Sequence, residues 1–61
     1  MNYICGIDPA CKYTAFSICE SETMKPYKLG RMENQEALTV MLDTIHSLIA
    51  DGHTVEVAIE G

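Results

Sequence analysis

Two short apolar runs, one near each end of the 61-residue chain, both finish on an acidic residue. Ile7-Asp8-Pro9 closes the first run and Ile59-Glu60-Gly61 closes the second. Short apolar runs bounded by turn residues are typical of buried strands. If the two strands are parallel neighbours, about 4.8 Å apart, their carboxylates meet at one edge of the sheet. The pattern therefore predicts a paired-carboxylate site formed by Asp8 and Glu60.

The clearest element between these runs is a helix over residues 34–52. Its apolar residues recur at the i, i+3, i+4, i+7 spacing of one helical stripe. The stripe consists of Leu38, Met41, Leu42, Ile45, Leu48 and Ile49. Asn34 is a good N-cap residue, and Gly52 is placed to end the helix in a left-handed conformation. We expect the whole stripe to pack against a sheet.

Four strands are predicted around this helix, over residues 3–8, 13–20, 25–32 and 54–60. A short turn makes the first two antiparallel, and Pro26 at the start of the third indicates a sheet edge. The helical crossover lets the last strand run parallel to the first. The expected fold is an α/β domain with a mixed four-stranded sheet, order 3-2-1-4, and one helix packed on it.

Length and composition allow one thin domain covering residues 1–61. Apolar residues make up 48% of the chain, which is too many for a disordered segment. No apolar stretch approaches the roughly 20 residues of a membrane span, and a hydrophobic signal core after a basic segment is missing. We therefore expect a cytoplasmic protein without a membrane partner.

The cysteines and histidines favour structural roles. Cys5, Cys11 and Cys19 contain no CxxC pair, and the first and last lie in apolar runs, where a free thiol acts as a small hydrophobe. His46 and His53 are not at ligand spacing from a cysteine. Reduced, structural thiols are therefore favoured over a disulfide or a zinc site.

Charge is distributed unevenly along the chain. Residues 1–31 hold all four basic side chains and three acids, a net charge of +1, whereas residues 32–61 hold six acids and no Lys or Arg, a net charge of −6. Phosphate binding needs a basic footprint, which only residues 12–31 could begin to supply. Lys12 in the first turn is either a phosphate contact or an ordinary solvated lysine.

Two carboxylates at adjacent strand ends have a specific chemical consequence. They repel each other unless one is protonated or a cation binds. Hard oxygen ligands suit Mg²⁺ or Mn²⁺, and two such ions about 3.5–4 Å apart activate water and stabilise the leaving oxygen of a phosphodiester. Alternatively, Asp8 is a simple turn acid and Glu60 a solvated one.

At this point the motifs resemble a known family. The segment Ile4-Cys5-Gly6-Ile7-Asp8-Pro9-Ala10 with Thr14, and then Val57-Ala58-Ile59-Glu60 after a single helix, resemble the opening half of RuvC-type Holliday junction resolvases. These are ribonuclease H-like nucleases whose first strand ends in a GIDPG-type motif and whose fourth ends in an AIE-type motif. The resemblance covers nearly the whole chain, as the N-terminal part of a family whose members are more than twice as long.

The resemblance implies a Mg²⁺-dependent (or Mn²⁺-dependent) endodeoxyribonuclease of DNA recombination and repair. Such an enzyme cuts branched DNA, the four-way junction, as a homodimer. Asp8 and Glu60 would be metal-binding catalytic carboxylates in a truncated version of the ribonuclease H-like fold. The family takes further acidic ligands from a C-terminal helix, so the resemblance implies that activity needs acids beyond this sequence.

The chain departs from the family pattern at two positions. Ala10 stands where the family usually has Gly, and Ala15 follows Thr14 where a second Gly is common. If position 10 needs a positive φ, alanine costs on the order of 1 kcal/mol there. Both changes leave the two carboxylate positions intact.

Two other interpretations remain open. Residues 8–14 also resemble the Asp-x-Gly-x-x-x-Thr phosphate loop of actin-like ATPases and sugar kinases, although Ala10 replaces the glycine and Pro9 removes an N–H donor. The other alternative is a folded, non-catalytic remnant. One face of its sheet would lack a helix, so self-association is expected.

Overall fold

The computed structural model describes residues 1–59, and the prediction made for Glu60 lies outside these residues. The elements are β1 (Asn2–Pro9), β2 (Tyr13–Glu20), β3 (Pro26–Glu33), α1 (Asn34–Ala50) and β4 (Thr54–Ile59). The sheet order is β3-β2-β1-β4. β1 is antiparallel to β2 and parallel to β4. The predicted α/β class, the mixed four-stranded sheet and its order are confirmed.

The β1–β2 connection is a tight turn. Pro9 still pairs with Thr14, and the Ala10 N–H donates to the Tyr13 carbonyl at 3.0 Å. Among the described non-glycine residues, Met24 is the one with a positive φ, 57°. Ala10 is therefore outside the left-handed region, and the cost considered for alanine at this position does not arise.

The core lies between α1 and one face of the sheet. Its buried apolar residues are Tyr3, Cys5, Phe16, Ile18, Ala37, Met41 and Leu48. The strand members alternate along β1 and β2, as expected where successive side chains point to opposite faces. Within residues 1–59, no element covers the other face, which is called the open face below.

The helical stripe is only half buried, which corrects one expectation. Met41 and Leu48 are buried, and Ala37 joins them, but Leu38, Leu42 and Ile49 are exposed. A single helix contacts the sheet along one side only, with most of its surface turned to solvent. The stripe is wider than that contact, so its flank remains in solvent.

The two ends of α1 differ in how well they were predicted. Gly52 has a φ of 90°, and the N–H groups of Gly52 and His53 donate to the carbonyls of Ile49 and Leu48, so the left-handed C-terminal cap is confirmed. The N-cap position is Glu33, without a side-chain cap, so the N-cap prediction for Asn34 is wrong. β3 runs directly into α1, and Asn34 is already helical.

No helix within residues 1–59 is long and apolar enough to cross a bilayer.

Candidate functional site

Asp8 lies near the carboxyl end of β1 and is exposed. Its neighbour Ile7 packs against the core, so the alternation along the strand puts Asp8 on the open face. Asp8 pairs with Ala15 on β2. The carboxylate therefore stands at the end of a central strand, with the small side chain of Ala15 beside it on β2.

A depression of about 300 Å³ adjoins Asp8. It is lined by Gly6, Ile7, Asp8, Ala15, Phe16, Ser17 and Ala58. Gly6 pairs with Ser17 on one side and with Ala58 on the other, so three small residues cross the sheet in one row. Asp8 is the one titratable side chain among these lining residues. The space beside the carboxylate is therefore open to water, an ion or a phosphate group.

The neighbouring strand required by the paired-carboxylate prediction is in place. β4 is parallel to β1, and the last described pair joins Ile7 to Ile59. Asp8 follows Ile7, and Glu60 follows Ile59 in the sequence. The predicted parallel pairing of the two strands is confirmed through Ile59, whereas the Glu60 carboxylate lies outside the described residues.

The open face also brings a basic side chain into line with Asp8. Ala15 pairs with Asp8 on one side and with Arg31 on the other, so these residues share one row and one face. Two strand spacings place the backbones of Asp8 and Arg31 about 10 Å apart. The Arg31 guanidinium lies 5.9 Å from the centre of the Tyr13 ring, which orients it by a cation–π contact.

Arg31 was not singled out from the sequence, which showed it only as part of a basic segment. Its position follows from the β2–β3 register, in which an irregularity at Ile18 and Cys19 shifts the pairing. A pairing register counted residue by residue from the β2–β3 turn, as the sequence alone allows, misses that shift. The alternation of β2 was the available signal, because it placed Ala15 on the face opposite the core.

Hydrogen bonds from Asn34 hold the turn that follows Asp8. The buried Thr14 hydroxyl donates to Asn34 Oδ1 at 2.7 Å. Asn34 Nδ2 donates to the Cys11 carbonyl at 3.1 Å, and the Asn34 backbone N–H donates to the Lys12 carbonyl at 3.0 Å. The beginning of α1 therefore fixes the turn, and Lys12 within it, beside the end of β1.

The cysteines and histidines form no metal-binding arrangement with Asp8 within the described residues. All three cysteines are free thiols, and burial raises the pKa of the Cys5 thiol. His46 is exposed on α1, and the His53 ring packs edge-on against Tyr3, with centroids 5.3 Å apart. Residues 1–59 contain no group of three or more His, Cys, Asp or Glu side chains able to hold a metal.

A carboxylate such as that of Asp8 is a hard oxygen ligand of the kind that suits Mg²⁺ or Mn²⁺. Mg²⁺ commonly binds through one or two carboxylates and keeps several waters. An exposed carboxylate beside an open depression supplies one such ligand and leaves room for the waters. Within residues 1–59, Asp8 alone could supply such a carboxylate ligand at this edge of the sheet.

Comparison with known proteins assigns no family. No protein-family model, curated protein or solved structure matches the chain. A functional proposal therefore comes from the motifs of the sequence and the geometry around Asp8.

Proposed function

We propose that the chain is the N-terminal part of a ribonuclease H-like, RuvC-type endodeoxyribonuclease that hydrolyses DNA phosphodiesters with Mg²⁺ or Mn²⁺. One observation carries this proposal. β1 and β4 are adjacent and parallel up to Ile7 and Ile59, the residues that directly precede the two acids of the motifs. Asp8 is exposed at that edge, so a carboxylate is available for a hard cation.

In this proposal Asp8 and Glu60 are the first two metal ligands. When bound, the metal ions activate water and stabilise the leaving oxygen. Asp8 holds its ion at the carboxyl end of a central strand, where open α/β sheets place their ligands. The row of small side chains at Gly6, Ser17 and Ala58 leaves space for the substrate's sugar-phosphate backbone.

Two basic residues support a phosphate-containing substrate despite the net charge of −5. Arg31 shares the open face and the row of Asp8. Lys12 is exposed in the turn that follows Asp8. Both residues lie near the end of β1 that carries Asp8, so we expect them to contact phosphates on either side of the cleaved bond.

The remaining parts of the proposal follow from the motif resemblance. The substrate is branched DNA in the form of a four-way junction, and the enzyme acts as a homodimer. Further acidic ligands come from elements outside this sequence. A cytoplasmic location agrees with the free thiols of Cys5, Cys11 and Cys19, since reducing compartments keep cysteines in that form.

Mn²⁺ titration followed by electron paramagnetic resonance tests the site without requiring activity. Asp8→Asn should weaken Mn²⁺ binding at least tenfold, because it removes the anionic ligand. Asp43→Asn is the matched control, since Asp43 is exposed on α1 and borders Tyr27 and Lys28 on the far side of the sheet. Equal Mn²⁺ affinity in wild type and Asp8→Asn would remove Asp8 from the site.

Cleavage of a labelled four-way junction tests the reaction. We expect Mg²⁺-dependent nicking that Asp8→Asn abolishes and Asp43→Asn preserves, in a preparation that includes the elements carrying the further acids. Tight ATP binding without metal-dependent nicking would instead favour the actin-like or sugar-kinase alternative. If the protein neither binds ATP nor nicks the junction, and Asp8→Asn binds Mn²⁺ as wild type does, the non-catalytic remnant is favoured.

A further inference from the structure

Tyr13 is a half-exposed aromatic residue close to Asp8 to which the motifs assign no function. Its side chain is 49% exposed, and it is the first residue of β2, directly after the turn that contains Lys12. A single exposed tyrosine is ordinary on a protein surface. Tyr13 differs from that ordinary case through its neighbours, which are Asp8 on one side and Arg31 on the other.

The Tyr13 ring lies on the same face of the sheet as Asp8. Thr14 is buried and bonded to the beginning of α1, so the alternation of β2 turns Tyr13 and Ala15 toward the open face. Asp8 pairs with Ala15, which makes Asp8 and Tyr13 diagonal neighbours, about 7–8 Å apart. The ring and the carboxylate therefore belong to one surface at the carboxyl end of β1.

The Arg31 side chain contacts the Tyr13 ring from β3. Arg31 pairs with Ala15, and Tyr13 lies two residues before Ala15 on the same face. The guanidinium is 5.9 Å from the ring centre, within range of a cation–π attraction. Because Tyr13 is nearer the β1–β2 turn than Ala15 is, this contact directs the guanidinium toward the end of the sheet at which Asp8 lies.

An aromatic ring beside a guanidinium has the chemistry that binds an unpaired nucleotide. Proteins that bind single-stranded nucleic acid stack bases on aromatic side chains and hold the backbone with basic side chains. Every base has a π-face, so the contact requires an unpaired base but no particular sequence. Tyr13 supplies the aromatic surface, and Arg31 supplies the charge for the phosphate.

The charges on either side of the ring give a bound strand a direction. Glu33 pairs with Tyr13 and is exposed, so its carboxylate repels a phosphate on that side of the ring. Arg31 attracts a phosphate on the other side, in the row that it shares with Asp8. The backbone of a nucleotide stacked on Tyr13 is therefore directed toward Asp8.

Two alanines border the path from the ring to the carboxylate. Ala15 pairs with Asp8, and the Ala10 N–H donates to the Tyr13 carbonyl at 3.0 Å. Each presents no more than a methyl group. A sugar-phosphate backbone can therefore pass from Tyr13 to Asp8 without meeting a large side chain from these two positions.

We propose that Tyr13 and Arg31 form a binding site for one unpaired nucleotide, next to the phosphodiester bond that is cleaved at Asp8. The base stacks on the Tyr13 ring, and Arg31 contacts the phosphate on the side of Asp8. The site selects DNA that has an unpaired base at the cleavage position over a continuous duplex. This inference deepens the proposed function and rests on it for the identity of the strand.

Fluorescence of 2-aminopurine tests the stacking without metal. The probe is a short single-stranded oligonucleotide with one 2-aminopurine and stable abasic sites elsewhere, titrated with the 61-residue chain in EDTA at low ionic strength. Stacking on an aromatic ring quenches this base, so wild type and Tyr13→Phe should quench it at saturation. Tyr13→Leu should bind on the order of tenfold more weakly and leave the fluorescence of the bound probe nearly unchanged.

Two further variants serve as controls for this titration. Tyr27→Leu should behave as wild type, since Tyr27 is 52% exposed but lines the cleft beside α1. Arg31→Gln should keep the quenching at saturation, because the ring remains. It should also reduce the slope of log affinity against log salt concentration by about 0.7, the value for one phosphate contact on a single strand.

A merely structural function of Tyr13, as a support for the Arg31 side chain, gives a different result. Tyr13→Leu would then weaken binding and lower the salt dependence, but the fluorescence of the saturated complex would equal that of wild type. Equal fluorescence of the two saturated complexes, or a wild type that does not quench the probe, overturns the proposal.

The outcome is independent of the nuclease experiments. Quenching that depends on Tyr13, with equal Mn²⁺ affinity in wild type and Asp8→Asn, would support the nucleotide site and remove the metal site. Nicking that depends on Asp8, without quenching that depends on Tyr13, would support the nuclease and overturn the nucleotide site.

Discussion

The Thr14 hydroxyl donates a hydrogen bond of 2.7 Å to Asn34 Oδ1, joining the first residues of β2 to the beginning of α1. The other end of the Asn34 amide donates to the carbonyls of Ala10 and Cys11. Thr14 is buried and Asn34 is exposed, so this hydrogen bond is shielded from water on the Thr14 side. The contact fixes the turn directly after Asp8 and thereby the direction in which β1 ends.

Thr14→Val should reduce the free energy of unfolding by about 0.5–1.5 kcal/mol, because it keeps the shape but removes the donor to Asn34 Oδ1, which lies on an exposed residue. Urea denaturation measures the change. Thr14→Ser retains the hydroxyl and should lose less. In the Asn34→Ala background, adding Thr14→Val should cost clearly less than it does in wild type. Full additivity of the two changes would show that the Thr14–Asn34 hydrogen bond contributes nothing to stability.

The strand order was predictable because it follows from chain connectivity. Short turns make neighbours antiparallel, and one helical crossover returns β4 beside β1 in the parallel direction. The function of Asn34 was not predictable in the same way. Its residue type suits an N-cap, but the carbonyls that it binds belong to a turn more than twenty residues earlier. Only the packed arrangement brings them together.

Gly30→Ala should destabilise the fold by about 1–3 kcal/mol through overpacking. A Cβ atom at this position would lie 2.8 Å from two atoms of the buried Phe16 ring. Thermal unfolding followed by circular dichroism measures the loss. Gly6→Ala on β1 is the control, since its Cβ would meet Ser17 Oγ at an ordinary 3.4 Å. A larger loss in Gly6→Ala than in Gly30→Ala would contradict the packing described here.

Met24→Asn should stabilise the fold by up to about 1 kcal/mol, since Met24 adopts a φ of 57° and asparagine tolerates the left-handed region better than methionine. Its side chain is mostly exposed, so little burial is lost. Gly52→Ala should destabilise the fold by a similar amount, because Gly52 has a φ of 90° that alanine adopts only with strain. The space around Gly52 is open, so no steric clash adds to this cost. Chemical denaturation of both variants tests the pair, and a destabilised Met24→Asn would contradict the strain argument.

The site was predictable only up to the strand ends. The apolar runs located Asp8 at the carboxyl end of β1 because burial and alternation are visible in the sequence. The rotation of α1 was not visible, since a stripe wider than the helix contact does not say which half will be buried. The alignment of Arg31 with Asp8 depends on a register irregularity at Ile18 and Cys19, which no local pattern indicates.

The buried thiol of Cys5 makes the stability of the fold depend on pH in the alkaline range. Burial raises the pKa of its thiol above the ordinary value of 9.0. Above that pH the unfolded thiol loses its proton while the folded one retains it, so the folded state binds more protons and stability falls as the pH rises. The contribution is fully present below pH 9.0 and is lost as the pH rises through the pKa of the folded state.

Urea denaturation of wild type and Cys5→Ala at pH 7.5 and pH 10 measures this effect. Cys5→Ala should be less stable than wild type at pH 7.5, because it leaves a small cavity, but should lose less stability between the two pH values. Cys11→Ala removes an exposed thiol and should keep the wild-type dependence. Parallel losses in wild type and Cys5→Ala would assign the alkaline destabilisation to other groups, since only the Cys5 variant lacks the buried thiol.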